Sequence, residues 1–186
     1  KLSFVNSREN AEKLASIEYR YPNINEIYDF FDVSQWGFEK EQVANLEMEI
    51  EETELFPNPY MLERISKLRE KGCKIFFVSD MYLPSFFIKR ILIKYGFCLE
   101  NELVLVSAEC RAAKYNGKIF EYLLKETHTK SRQWLHLGDN LISDVLIPKI
   151  KGIKSCVVKD AFFSDEEKKW LNDAKFYLHK HEIELW

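Results

Sequence analysis

The chain has no large excess of either charge: 27 basic residues stand against 30 acidic ones, a formal net charge of −3 over 186 residues. Both signs are mixed along it, so the basic stripe that a nucleic-acid surface needs is missing. No apolar run reaches the roughly 18 to 20 residues that span a bilayer. No charged segment followed by an apolar stretch opens the sequence, so neither a membrane span nor a signal peptide is expected. Cysteine is sparse. Cys73, Cys98, Cys110 and Cys156 are scattered, with no CxxC pair and no Cys/His ligand spacing. That pattern points to reduced, mostly buried thiols and a cytoplasmic location rather than a disulfide framework. GxSxG, GxGxxG and P-loop sequences are absent, as are internal repeats and low-complexity segments.

What is present is an ordinary globular composition, 46% hydrophobic and 31% charged, with aromatics raised to 15% by 14 Phe and 9 Tyr. It is enough for one core with a small appendage. The chain divides near Asn58. Residues 1 to 57 read as helices without a strand. Phe4, Arg8, Ala11 and Ala15 mark one face, widened by Leu14; Asn23 and Glu26 form a capping box before Ile24, Ile27, Tyr28 and Phe31; Val43, Leu46 and Ile50 make a third stripe. Glu47, Glu49, Glu51, Glu52 and Glu54 read as a solvated acidic face rather than a metal site.

From Asn58 onward helices alternate with short apolar strands. Asn58-Pro59 opens a helix that Gly72 closes, and Lys74 to Val78 reads as a strand buried on both faces. Pro84 opens a helix closed by Gly96; Leu103 to Val106 and Trp134 to Leu137 are further strands. A helix from Gly117 to Lys125 lies between them. A helix bearing Pro148 ends by Gly152, Ile153 to Val158 is another strand, and Ser164 with Glu167 caps a last helix. This alternation predicts right-handed crossovers and a mainly parallel sheet sandwiched by helices. Ligands bind beyond the carboxyl ends of such strands, here Ser79-Asp80, Ser107, Gly138-Asp139 and Lys159-Asp160.

Three segments at those ends suit chemistry. Ser79, at a strand-to-helix turn, either helps hold an anionic oxygen or simply caps a helix. In Gly138-Asp139-Asn140-Leu141-Ile142-Ser143-Asp144, two carboxylates converge from a strand tip. They suit Mg²⁺, which takes one or two carboxylates and keeps waters; the alternative is capping by Asn140 with Asp144 complementing the helix dipole. Lys114, just before a helix whose Ile119 and Phe120 face inward, either balances phosphoryl charge or is a surface lysine. His136, inside an apolar strand, reads as a hydrogen-bonded core histidine, and His179 and His181 as exposed.

In their order and spacing these segments resemble the second, third and fourth motifs of the haloacid dehalogenase-like hydrolase superfamily. The wording FVSDMYLP, AAKYNGKIF and LHLGDNLISD, followed by Pro148 and Gly152, is similar to a bacterial subgroup sometimes attached to glycosyltransferase domains. The resemblance covers residues 58 to 160 and extends through FVNSRENAEKLA and INEIY into a helical cap. It implies a helical cap over residues 1–57 and, over 58–186, a Rossmann-like α/β core with a mainly parallel sheet. It also implies a Mg²⁺-dependent phosphohydrolase acting on a small phosphorylated substrate. Ser79 would bind phosphate oxygens with Asp80 nearby, Lys114 would stabilise the phosphoryl charge, and Asp139 and Asp144 would serve the metal. A glycosyltransferase domain in the parent polypeptide is a further expectation from the subgroup.

One departure matters. The superfamily's first motif, DxDxT, supplies the attacking carboxylate, and this sequence contains none. Asp29 and Asp32 lie in a helix, and Asp80 follows the wrong strand. The expectation is therefore a core lacking its first strand and inactive as this chain. The alternative is a non-catalytic module of the same type that binds a phosphorylated ligand or a protein partner.

Overall fold

The computed structural model describes residues 3–158. The Ser164/Glu167 box, Lys159-Asp160, His179 and His181 lie outside that range. The N-terminal third is helical: α1 (Phe4–Glu18), α2 (Ile24–Asp29) and α3 (Lys40–Glu54). Both arms of the Asn23/Glu26 capping box are formed, at 3.0 and 2.8 Å. Ala11 and Ala15 are buried, which lets α1 approach α2 closely, but Leu14 is exposed. The third stripe departs from expectation as well: Val43 and Ala44 are buried, whereas Leu46 and Ile50 are half-exposed. The face of α3 that meets the rest of the molecule is the one carrying Val43, Ala44, Glu47, Met48 and Glu52, and Leu46 and Ile50 lie off it.

These helices have no core of their own. Ile24, Ile27, Tyr28 and Phe31 share one cluster with Leu83, Phe87 and Ile91 from the second half of the chain. The backbone N–H of Ile24 donates to the carbonyl of Tyr82 at 2.9 Å, joining the start of α2 to the same region. The acidic face is only partly solvated. Glu47 accepts from Arg8 at 2.8 and 3.0 Å and from the Tyr28 hydroxyl at 2.6 Å, and Glu52 pairs with Arg90 and Lys94. Burial opposes ionisation of Glu47, yet the hydrogen bonds from Arg8 and Tyr28 hold its carboxyl below the usual range.

The second part begins with α4 (Pro59–Glu70), capped by the Asn58 side chain and ended by Gly72 at φ 75°. There follow β1 (Phe76–Ser79), α5 (Ser85–Lys94), β2 (Leu103–Val106), α6 (Ser107–Cys110) and α7 (Lys118–Glu126). Then come β3 (Leu135–Gly138), a π-helical turn (Leu141–Leu146), α8 (Ile147–Ile150) and β4 (Lys154–Val157). β2 has the bounds its apolar run predicts and β3 is displaced by one residue, whereas β1 and β4 are shorter than their runs; β1 is half-buried rather than sealed on both faces. Of the four cysteines only Cys98 is buried; Cys73 follows the Gly72 turn and Cys156 lies on the exposed side of β4. Among the described residues no helix is long and apolar enough to cross a membrane.

All strand pairing is parallel, as an α/β fold requires, but the sheet is not continuous. β1 pairs with β2, and β3 pairs with β4, as two separate two-stranded sheets. Side chains near β1 and β3 nevertheless meet. Near their starts the rings of Phe76 and Trp134 are in tilted contact, centroids 4.7 Å apart. Beyond their ends a single residue, Lys114, touches both connections. Side chains, not a backbone ladder, hold the two sheets together. Beneath them α7 contributes Ile119, Phe120 and Leu123 to a cluster that also takes in Phe76, Val78 and Trp134.

Candidate functional site

The rim beyond β1 and β3 is where sequence and structure meet most closely. β3 ends at Gly138, whose missing side chain allows Asp144 to fold back against the strand tip: a β-carbon there would lie 2.4 Å from the Asp144 Cγ. The π-helical turn brings Asp144 into that position. Its start is capped by the Asn140 side chain, which accepts from the N–H groups of Ile142 and Ser143 at 2.9 and 3.0 Å. Such turns are rare and concentrate at functional positions.

Asp144 is 1% exposed, the only buried Asp, Glu, Lys or Arg among the described residues. Both its oxygens are used. Oδ1 accepts from the Lys114 ammonium at 2.8 Å and lies 3.0 Å from His136 Nε2, while Oδ2 accepts from the Asn140 N–H at 3.1 Å. Burial alone would raise its pKa. The hydrogen bonds from His136 and Lys114, with the charge of Lys114, outweigh burial and hold the carboxyl well below its ordinary value. His136 is hydrogen-bonded as its strand position suggested, but it is half-buried rather than part of the core, with Phe120 edge-on at 4.9 Å.

Lys114 is anchored at two points. Its backbone N–H donates to both oxygens of Asp80, at 2.9 and 3.0 Å, and its ammonium reaches Asp144. Asp80 is therefore a fastener for the segment ahead of α7. Asp139 is exposed, and its carboxylate has no hydrogen-bond partner among the described residues. Asp80, Lys114, Asp139, Asn140 and Asp144 line one cleft of about 500 Å³. Ser79 closes β1 but does not line that cleft, and its hydroxyl makes no hydrogen bond among the described residues.

This donor set fits Mg²⁺ through Asp139 alone. Asp144 lines the same cleft but is buried and shares its oxygens with Lys114, His136 and the Asn140 N–H. No group of three or more metal-binding side chains occurs among the described residues. Mg²⁺ is held in many sites by one or two carboxylates with water and substrate oxygens, and Asp139 is the residue here whose carboxylate is free to serve in that way.

A second set of residues had no sequence signal strong enough to single it out. The Tyr21 hydroxyl donates to the Tyr115 hydroxyl at 2.9 Å and accepts from Asn116 Nδ2 at 2.6 Å. Arg111 donates to the Tyr21 carbonyl and to Glu26, both at 2.9 Å. Tyr115 and Asn116 directly follow Lys114, the one hint available. No family model matches the chain, and no curated protein matches it.

Proposed function

We propose that this chain is the larger part of a Mg²⁺-dependent phosphohydrolase of the haloacid dehalogenase type, acting on a small phosphorylated substrate. The observation that carries the reading is Lys114, tied to the ends of two parallel strands by Asp80 and Asp144 and facing the cleft that Asp139 also lines. In this reading Asp139 holds the metal, which when bound neutralises charge on the phosphoryl oxygens. Lys114, which lines the same cleft, adds a fixed positive charge. Asp144 and His136 keep that ammonium in place; a phosphate contact from Ser79, which the resemblance implies, would need its hydroxyl to reach the cleft from outside the lining.

The attacking carboxylate is not among these groups. Hydrolysis by this mechanism needs a further strand carrying it, and the absence of a backbone ladder between β1 and β3 is consistent with such a strand lying between them. A glycosyltransferase domain elsewhere in the parent polypeptide, and a cytoplasmic setting, belong to the same proposal. The second reading, a non-catalytic module that binds a phosphorylated ligand or a protein partner, is favoured by the missing DxDxT.

The test is phosphate binding with and without Mg²⁺, alongside hydrolysis of an aryl phosphate, on the 186-residue chain. Phosphate should bind in the presence of Mg²⁺, lose affinity in Lys114→Ala and Asp139→Asn, and no turnover should occur. Hydrolysis that survives Asp139→Asn, or no phosphate binding at all, would overturn the site. A longer form of the polypeptide carrying a DxDxT strand separates the two readings: turnover selects the enzyme, and binding alone selects the module.

A further inference from the structure

We infer that the surface around the starts of β1, β3 and β4 docks on an anionic lipid surface. It lies at the opposite end of the strands from the cleft of Lys114 and Asp139, so a chain resting on such a surface keeps that cleft turned away from it. The inference is independent of the phosphohydrolase reading.

A net charge near zero conceals a division. Residues 1–57 carry 13 acidic side chains against 5 basic, whereas residues 58–158 carry 17 basic against 10 acidic. Charge asymmetry between the parts of one chain points to an anionic partner for the basic part.

The fold gathers the unpaired share of that charge at one end. Lys71, Lys74, Lys130, Arg132, Lys149 and Lys154 are all exposed, and none forms an ion pair among the described residues. The turns that carry them adjoin. Contact between Phe76 and Trp134 brings the start of β1 to the start of β3. The Lys154 N–H donates to the Trp134 carbonyl at 3.2 Å. The Gly152 turn presses on the same segment: a β-carbon there would lie 2.9 Å from the Ser131 hydroxyl oxygen. Lys149 belongs to α8, which ends at that turn. Acidic groups are fewer here. Glu102 is taken by Arg69 and Glu121 by Lys151, which leaves the exposed Glu70 and Glu126.

Two apolar side chains stand among the cations. Leu135, 52% exposed, is paired in register with Lys154, and Ile150, 68% exposed, lies between Lys149 and Lys151. Cations with apolar side chains projecting between them suit an anionic bilayer: charge draws the protein in, and the apolar tips enter the headgroup boundary. A nucleic acid is the poorer fit. Phe76 and Trp134, the rings at the strand starts, lie against each other, and the Trp134 indole N–H donates to Thr129 at 2.6 Å. Neither is free to stack on a base.

The experiment is co-sedimentation of the 186-residue chain with vesicles of phosphatidylcholine alone and of phosphatidylcholine with about one-third phosphatidylserine. Binding should occur on the anionic vesicles only and be lost at about 0.5 M salt. Each Lys or Arg that reaches such a surface gives roughly fivefold in partitioning, so Arg132→Glu with Lys154→Glu should weaken binding by about twentyfold or more. Lys13→Glu with Lys118→Glu makes the same change of net charge at exposed positions away from the strand starts, and should cost no more than about threefold. Ile150→Ser should cost about fivefold, and circular dichroism confirms that each variant is folded. Absence of binding to the anionic vesicles, equal losses in the two double variants, or an unaffected Ile150→Ser would overturn the proposal. So would a DNA duplex bound as tightly as the anionic vesicles, which would mark a general polyanion site instead.

Discussion

Gly138 and Asp144 are packed so closely that residue 138 has no room for a side chain: a β-carbon there would stand 2.6 Å from the Asp144 Cβ and Oδ2 alike. The end of β3 and the buried carboxylate are therefore one structural unit. Gly138→Ala should push Asp144 out of contact with His136 and Lys114. A loss of about 2–4 kcal/mol is expected, combining overpacking with a disturbed buried ion pair. Urea unfolding of the two proteins measures it, and a loss under about 0.5 kcal/mol would mean that Asp144 relaxes freely.

Asp144→Asn removes the charge that Lys114 and His136 share but keeps the side-chain shape. Removing one partner of a buried pair costs about 3–5 kcal/mol, so this variant should be among the least stable single substitutions in the chain. Asp139→Asn is the control. With an exposed side chain and no partner among the described residues, it should change stability by no more than about 0.5 kcal/mol.

The pH dependence follows from the depressed pKa of Asp144. Because its folded-state pKa lies below the unfolded value of about 3.9, its contribution is complete above that pH. It drains away as pH falls further toward the folded pKa. Melting temperatures taken from pH 6 down to about pH 2 should converge for the wild type and Asp144→Asn. Curves that stayed parallel would show that Asp144 is not ionised by its partners.

The Arg8–Glu47 pair fastens α1 to α3, and the Tyr28 hydroxyl fastens α2 to the same carboxylate. Tyr28→Phe should lose about 1.5–3 kcal/mol, the range for a hydrogen bond to a charged group. If the double variant Tyr28→Phe, Glu47→Gln loses as much as the two single losses added together, the three side chains are not one network. Chemical unfolding of the four proteins provides the cycle.

Residue by residue, local structure was legible in the sequence. The Asn23/Glu26 box, the Asn58-Pro59 start and the glycine stops at Gly72 and Gly96 arise from contacts within a few residues, so pattern alone determined them, and short apolar runs marked the strands although their ladder partners are distant in sequence. The parallel α/β class follows in the same way from the alternation of strands and helices. Ser79, Lys114, Asp139 and Asp144 could be placed at strand ends for that reason. Which of those carboxylates is free could not be placed, because it depends on hydrogen bonds between segments about 30 residues apart. Only the folded chain shows that Asp144 is buried and bonded to Lys114, His136 and Asn140, and that Asp139 is exposed with no hydrogen-bond partner among the described residues. The π-helical turn, the solvent exposure of Leu46 and Ile50, and the division into two small sheets were also decided there. Tyr21 is the clearest case: nothing adjacent in sequence asks it to enter a left-handed conformation, and Arg111, Tyr115 and Asn116, about 90 residues away, hold it in one. Short-range periodicity and capping choose the elements, whereas burial, charge pairing and strain are properties of surfaces that exist only once those elements have packed.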